Sequence, residues 1–241
     1  MNRVLLLGVP IDPLTRIDAI VRIKNLLGAE RQSHVMTPNN EMLVEATKNP
    51  AFRSVLQKSH LNLPDSMGLL FAARWTHQTL QERVPGVDTV EALLKTISSE
   101  HPVYFLGAAE GVAQQAASAL QVKNPHLKIA GTFSGHPNDS TLIERINAAK
   151  PHLLLVAFGA PKQDMWIDQH LKNLPTVRVA MGVGGTFDFL AGKIKRAPAF
   201  MRSLGLEWLW RLLQEPRRIG RIWRAVIVFP VLILRFGSKA R

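Results

Sequence analysis

Short apolar runs punctuate this 241-residue chain at 4–9, 33–37, 60–63, 103–106, 128–131, 153–158 and 177–181. Each is only a few residues long, as expected of strands buried on both faces. Between them, apolar positions recur at helical spacing over 18–27, 41–56, 89–98, 111–121, 140–149 and 163–171. This alternation predicts an α/β fold: an open, mostly parallel, Rossmann-like sheet with helices on both faces. In such a sheet, ligands bind in the crevice beyond the carboxyl ends of the strands.

After Ala191-Gly192 the strands stop. Two helical stretches are expected, 199–214 and 218–235, separated at Glu215-Pro216. In the second, Arg217, Arg218, Arg221 and Arg224 recur every three or four residues and share one face, with Ile219, Ile222, Trp223, Val226 and Ile227 on the other. The charge divides at the same place. Residues 193–241 hold 12 of the 30 Lys and Arg against two acids, Glu207 and Glu215, so +10 of the net +12 lies there with three of the five Trp. The chain therefore reads as an α/β core, 1–192, and an all-helical basic appendage, 193–241, that must meet something anionic.

Three classes recede on composition. The absence of Cys removes disulfides and thiolate metal sites and is compatible with a reducing cytoplasm. The N-terminal apolar run is broken by Gly8, Pro10 and Asp12, which suits a first buried strand and not a secretory signal. The other apolar stretch, 225–234, is broken by Pro230 and falls short of the roughly 20 residues of a spanning helix. A membrane-lying segment is expected, not a membrane-crossing one, and a tail of this kind also leaves homo-oligomers open.

Candidate chemistry sits at strand ends. Thr37-Pro38-Asn39-Asn40-Glu41 puts hydroxyl and amide groups beside free backbone N–H groups, although an N-cap would use the same residues. Asp65, in Leu63-Pro64-Asp65-Ser66, is either a helix cap or a general base toward a hydroxyl. Small residues follow three further strands, around Gly107, Gly159 and Gly184-Gly185, either as tight packing turns or as places where a helix start approaches a phosphate. Arg83 stands in a charged loop and is either solvated or paired with an anion. The eight His show no ligand spacing, so no metal is expected. The appendage suits anionic lipid or a diphosphate; nucleic acid is not expected, since no nucleic-acid-binding signature accompanies the charge. A nicotinamide- or flavin-dependent oxidoreductase stays open on the glycine turns, though without a complete G-x-G-x-x-G or a ribose-binding acid. A non-enzymatic basic membrane-binding protein stays open on the appendage.

Seven motifs occur in order: Thr37-x-Asn39-x-Glu41, Pro64-Asp65-Ser66-x-Gly68, Arg83-Val84-x-Gly86-x-Asp88, Gly159-x-Pro161-Lys162-Gln163, Gly182-Val183-Gly184-Gly185-Thr186-Phe187-Asp188, Arg196-Ala197-Pro198, and Leu206-Glu207-Trp208 leading to Arg211, Pro216 and Arg218. Together they resemble the bacterial WecG/TagA/CpsF glycosyltransferases, glycosyltransferase family 26, over roughly residues 4–224. The resemblance implies an inverting, metal-independent transferase without cofactor, cytoplasmic and peripheral at the inner face of the cell membrane. It would move a sugar, best matched by N-acetylmannosamine, from a UDP donor to undecaprenyl-diphosphate-linked N-acetylglucosamine in cell-surface polysaccharide or teichoic acid synthesis. It also implies roles: Asp65 as general base; Thr37, Asn39 and Gln163 near the substrate, with Arg83 close by; and Arg211, Arg218 and Arg221 folding over the site to stabilise the departing UDP. Asp164 stands where many relatives have Glu, a departure that shortens the reach of that carboxylate. The stretch 225–234 lies outside the shared motifs and reads as an extra monolayer anchor.

Overall fold

Leu153, Leu155 and Ala157 pack into one apolar cluster, while Leu154 and Val156 of the same strand pack into another on the opposite side. A strand buried on both faces needs helices above and below it. The computed structural model, which describes residues 2–239, has that arrangement. Met1 at one end and Ala240 and Arg241 at the other, the outermost residues of the two expected regions, lie outside the described residues.

The strands are β1 (Val4–Leu6), β2 (Val9–Ile11), β3 (Ser33–Met36), β4 (Leu61–Asn62), β5 (Val103–Gly107), β6 (Ile129–Phe133), β7 (Leu153–Ala157) and β8 (Val179–Gly182). Six of them form one sheet in the order β4-β3-β8-β7-β5-β6, every pairing parallel. Helices Arg16–Gly28, Gly86–Thr96, Val112–Lys123 and Thr186–Leu190 contribute to the apolar cluster on one face. Helices Asn40–Lys48, Pro50–Lys58, Leu142–Ala149 and Lys162–His170 build the two clusters on the other. The neighbouring strands β3 and β8 thus send the chain to opposite faces, Asn40–Lys48 to one and Thr186–Leu190 to the other. A crevice opens between their carboxyl ends, at the switch point where open α/β sheets bind ligands.

Besides the helix expected over 199–214, which Gly205 (φ 74°) divides into Ala199–Ser203 and Glu207–Gln214, three expectations are corrected. The apolar run 4–9 is no strand of the parallel sheet. Leu7 (φ 51°) and Gly8 (φ 76°) turn the chain back, so β1 and β2 pair antiparallel as a separate hairpin. Asp12, just after the hairpin, accepts from the Arg3 guanidinium at 2.9 Å and from the Asn62 N–H at 2.7 Å, which fastens the hairpin to β4. The helix expected over 41–56 is two helices, because Pro50 lacks an N–H and instead opens the second, with Asn49 Oδ1 capping Phe52 N–H at 3.0 Å.

The third correction concerns 225–234. It is not wholly a lipid-facing anchor: Phe229, Leu232 and Ile233 are buried among Leu6, Val9, Met42, Leu69 and Ala73. The hairpin turn also donates two backbone hydrogen bonds to the chain end, Leu7 N–H to Gly237 O and Gly8 N–H to Ser238 O, both 3.0 Å. The opposite face of the segment, with Ile227, Val231 and Leu234, is exposed. No helix among the described residues is long and apolar enough to cross a membrane.

Candidate active site

The crevice at the carboxyl ends of β3, β4, β7 and β8 holds a cavity of about 540 Å³, roofed by the C-terminal helices, which run over Ala199–Ser203, Glu207–Gln214 and, continuously, 219–236. Thr37, Asn39, Asp65, Arg83, Gly159, Gln163, Gly184, Gly185, Arg211, Arg218 and Arg221 all line it. Gly107 does not. At φ 96°, its place for a Cβ lies 2.9 Å from the Ala157 carbonyl and 2.9 Å from the Phe158 ring, so it is a glycine of close strand-to-strand packing and not of ligand approach.

Asp65 is held from two sides. Its N–H donates to Pro38 O at 3.0 Å, which ties it to the end of β3, and Val84 N–H donates to Pro64 O at 2.7 Å, which ties it to the 83–86 loop. The Gly86 N–H then donates to Asp65 Oδ1 at 3.0 Å. Burial pushes the Asp65 carboxyl up to about 7; the Gly86 hydrogen bond and the Arg83 charge oppose this, while Glu207 and Asp88 add to it. A carboxylate with its pKa near neutrality is suited to take a proton from a sugar hydroxyl at physiological pH.

Gln163 organises the glycine turns. Its Oε1 accepts from Gly159 N–H and from Gly184 N–H, both at 3.0 Å, joining the chain beyond β7 to that beyond β8. Gly184 (φ 52°) has open space where a Cβ would be, and the position of a Cβ on Gly185 is 3.5 Å from both terminal nitrogens of Arg211. Arg211 therefore lies over a turn whose backbone is bare. Asn39 accepts from Met42 N–H at 3.1 Å, so its Oδ1 caps the helix Asn40–Lys48 while the residue lines the cavity. Asp164 is fully buried outside the cavity, 3.5 Å from His34 Nε2, so the shorter side chain serves the interior.

The roof is ionic. Glu207 meets Arg83 at 3.4 Å and Arg196 at 2.9 Å, and Arg196 also reaches Asp88 at 2.8 Å. Glu215 meets Arg211 at 2.8 Å and Arg218 at 3.5 Å. Glu41 accepts from Arg221 Nε with both oxygens, at 2.9 and 2.8 Å, and from Arg224 at 2.8 Å. Phe189 carries the guanidinium carbons of Arg211 and Arg196 over its ring at 4.9 and 5.3 Å. Burial together with Arg211 and Arg221 lowers the Arg218 pKa, as expected of cations gathered around one space. Glu41, Arg196 and Glu207 also line the cavity, although the sequence suggested no role for them, and Arg224 stands behind Glu41 outside the lining. The signal was there for Glu207, one of two acids in a basic tail.

This combination of a near-neutral carboxylate, bare glycine turns and clustered arginines can activate a hydroxyl and hold phosphates. No group of three or more His, Asp and Glu among the described residues is placed to hold a metal ion.

Comparison with known proteins agrees with this chemistry. The model of the WecG/TagA/CpsF glycosyl transferase family matches residues 4–241. An N-acetylglucosaminyldiphosphoundecaprenol N-acetyl-beta-D-mannosaminyltransferase of Staphylococcus aureus strain MRSA252 is 32% identical over 98% of this chain and 94% of its own length. Its counterpart from strain MW2 is 31% identical over the same shares.

Proposed function

The chain belongs to the WecG/TagA/CpsF glycosyltransferase family, and from that premise we propose that it transfers N-acetylmannosamine from a UDP donor to undecaprenyl-diphosphate-linked N-acetylglucosamine. Membership sets aside the oxidoreductase and non-enzymatic alternatives. The observation that carries the reading is the shared cavity of Asp65 and the arginines Arg211 and Arg218.

In this reading the Asp65 carboxylate takes the proton of an acceptor hydroxyl. That oxygen forms a bond to the donor's anomeric carbon from the face opposite the leaving group, with inversion. The bond from the anomeric carbon to the diphosphate oxygen breaks, and its electron pair leaves with UDP. Arg211 and Arg218 meet the charge that develops on the diphosphate, with the Gly184-Gly185 turn beneath, so fixed guanidinium groups supply the cations and no metal or cofactor takes part. Gln163, Thr37 and Asn39 line the same space and position the sugars, and Arg83 holds its place beside Asp65.

The acceptor is a membrane lipid, and the C-terminal region carries +10 with exposed Phe200, Leu204, Leu213, Ile219 and Trp223. Basic and apolar groups on one surface suit peripheral binding to anionic lipid at the inner face of the cell membrane. The test is UDP release from a panel of UDP-sugars, with and without lipid-linked N-acetylglucosamine, in EDTA and in its absence. Acceptor-dependent release from UDP-N-acetylmannosamine that survives EDTA is expected. Release from none of the donors defeats the donor assignment, and loss in EDTA defeats the metal-free one.

A further inference from the structure

A lipid-linked acceptor brings its own diphosphate, so the site must hold two: one that departs and one that stays. In a single displacement, the attacking and leaving oxygens stand on opposite sides of the anomeric carbon. The base therefore sits on the acceptor's side, away from the departing diphosphate. The cations of the roof divide in the same way.

Arg211 lies over Gly185 and is balanced by Glu215. Arg221 and Arg224 belong elsewhere. They are held by Glu41, in the first turn of Asn40–Lys48. Its neighbour Asn40 accepts from Ser66 Oγ at 2.7 Å and donates through Nδ2 to Ala225 O at 2.9 Å. Two hydrogen bonds thus link the residue after Asp65 to the helical segment that carries Arg221 and Arg224. In that segment the helix Ile219–Trp223, which holds Arg221, runs directly into the π-helix Arg224–Val228, the irregularity often found where a helix meets a functional site.

Arg221 spends its Nε on Glu41, and its two terminal nitrogens have no partner among the described residues. They are the fork that binds phosphate oxygens in pairs. Beside it the cavity wall turns apolar, with Met67 and Phe71 from helix Met67–Trp75 and Ile222, Val226 and Pro230 from the C-terminal helices. Phe71 is 66% exposed, so this wall runs out to the surface.

We propose that Arg221, oriented by Glu41 and backed by Arg224 on the same carboxylate, forms a second diphosphate subsite, for the acceptor and not for UDP, and that the groove along Met67, Phe71, Ile222, Val226 and Pro230 holds the first isoprene units of its chain. The proposal rests on the glycosyl-transfer reading for the identity of the ligand. It reassigns Arg221, which the family resemblance placed on UDP. Arg218 pairs with Glu215 at 3.5 Å and feels the charges of Arg211, Arg221 and Glu41, so it serves both groups.

Calorimetric titration of the full chain with UDP and with farnesyl diphosphate, a short polyprenyl diphosphate, separates the two subsites. The wild type is expected to bind both at once. Arg221→Ala/Arg224→Ala should weaken farnesyl diphosphate by about tenfold or more and UDP by less than about twofold, at an unchanged melting temperature. Phe71→Ser, at an exposed position, should weaken farnesyl diphosphate but leave inorganic pyrophosphate as it was. Competition between the two ligands, equal loss of both in the double variant, or no binding of farnesyl diphosphate to the wild type would each overturn the proposal. Binding of farnesyl diphosphate without any binding of UDP would keep the subsite and sink the donor reading instead.

Discussion

The Gly86 N–H points at Asp65 Oδ1 from 3.0 Å, yet the Asp65 carboxyl still stands near 7. Burial outweighs a hydrogen bond and a neighbouring arginine together. A base tuned in this way is ionised only in the upper part of the physiological range. The rate of transfer should accordingly rise with pH through an apparent pKa near 7. Asp65→Asn should cost about a hundredfold or more in kcat with UDP affinity little changed, because proton removal belongs to the transition state. Turnover retained in the variant, or a flat pH profile in the wild type, would remove Asp65 from the role of base.

The same carboxyl makes a prediction about stability. Its folded pKa lies above its ordinary value of 3.8, so below pH 4 both folded and unfolded states hold the proton and nothing is lost. Between pH 4 and 7 the unfolded chain releases the proton more readily, and above 7 the cost of the buried charge is complete. A gap of about 3 in pKa corresponds at most to about 4 kcal/mol, reduced by the carboxyl's contact with the cavity. Asp65→Asn, whose amide oxygen can still accept from Gly86, should therefore raise the melting temperature at pH 8 by several degrees and hardly change it at pH 4. Equal shifts at both values would show that the group is not held at the pKa described.

Glu207 offers a way to move that pKa without touching the base. Its charge raises the Asp65 pKa, while Arg83, 3.4 Å from Glu207, lowers it. Glu207→Gln should carry the rise in kcat/KM toward lower pH, and Arg83→Gln toward higher pH. Opposite displacements of one limb of the profile are not what a general loss of packing produces. If both variants move the limb the same way, the electrostatic account of Asp65 is wrong.

The strands of the sheet were legible because burial on both faces leaves an unbroken apolar run, as in Leu153-Leu154-Leu155-Val156. The same rule failed at 4–9, where an apolar run bends at Leu7-Gly8 into a hairpin buried by the chain's own C-terminus. Apolarity reports burial and not the partner. Pro50 carried a legible signal that the helical spacing across 41–56 obscured, since a proline can open a second helix as readily as break one. In the site, Asp65 and Gln163 stood out by motif. The pairing of Glu41 with Arg221 and Arg224 spans some 180 residues of chain and leaves no local pattern to read.

The continuous helical stretch 219–236 tests the membrane reading most directly, because its two faces predict opposite outcomes. Trp223, Ile227, Val231 and Leu234 are 60%, 44%, 56% and 60% exposed, whereas Phe229 and Ile233 are 2% and 4% exposed, in the apolar cluster that their helix shares with Asn40–Lys48, Met67–Trp75 and the N-terminal hairpin. Cutting the chain after Lys195 would strip that packing, so loss of vesicle binding in such a fragment would report instability as much as loss of contact. Serine at Trp223, Ile227 and Val231 should instead abolish binding to anionic vesicles while leaving the melting temperature near that of the wild type. Phe229→Ser should cost about 3–5 kcal/mol in unfolding free energy, since it opens a cavity in the core. Binding of the wild type should weaken with salt, since the arginines contribute long-range attraction that screening removes over about 10 Å at 0.1 M. If the triple variant still binds vesicles as well as the wild type does, the exposed face of this helix is not what meets the membrane.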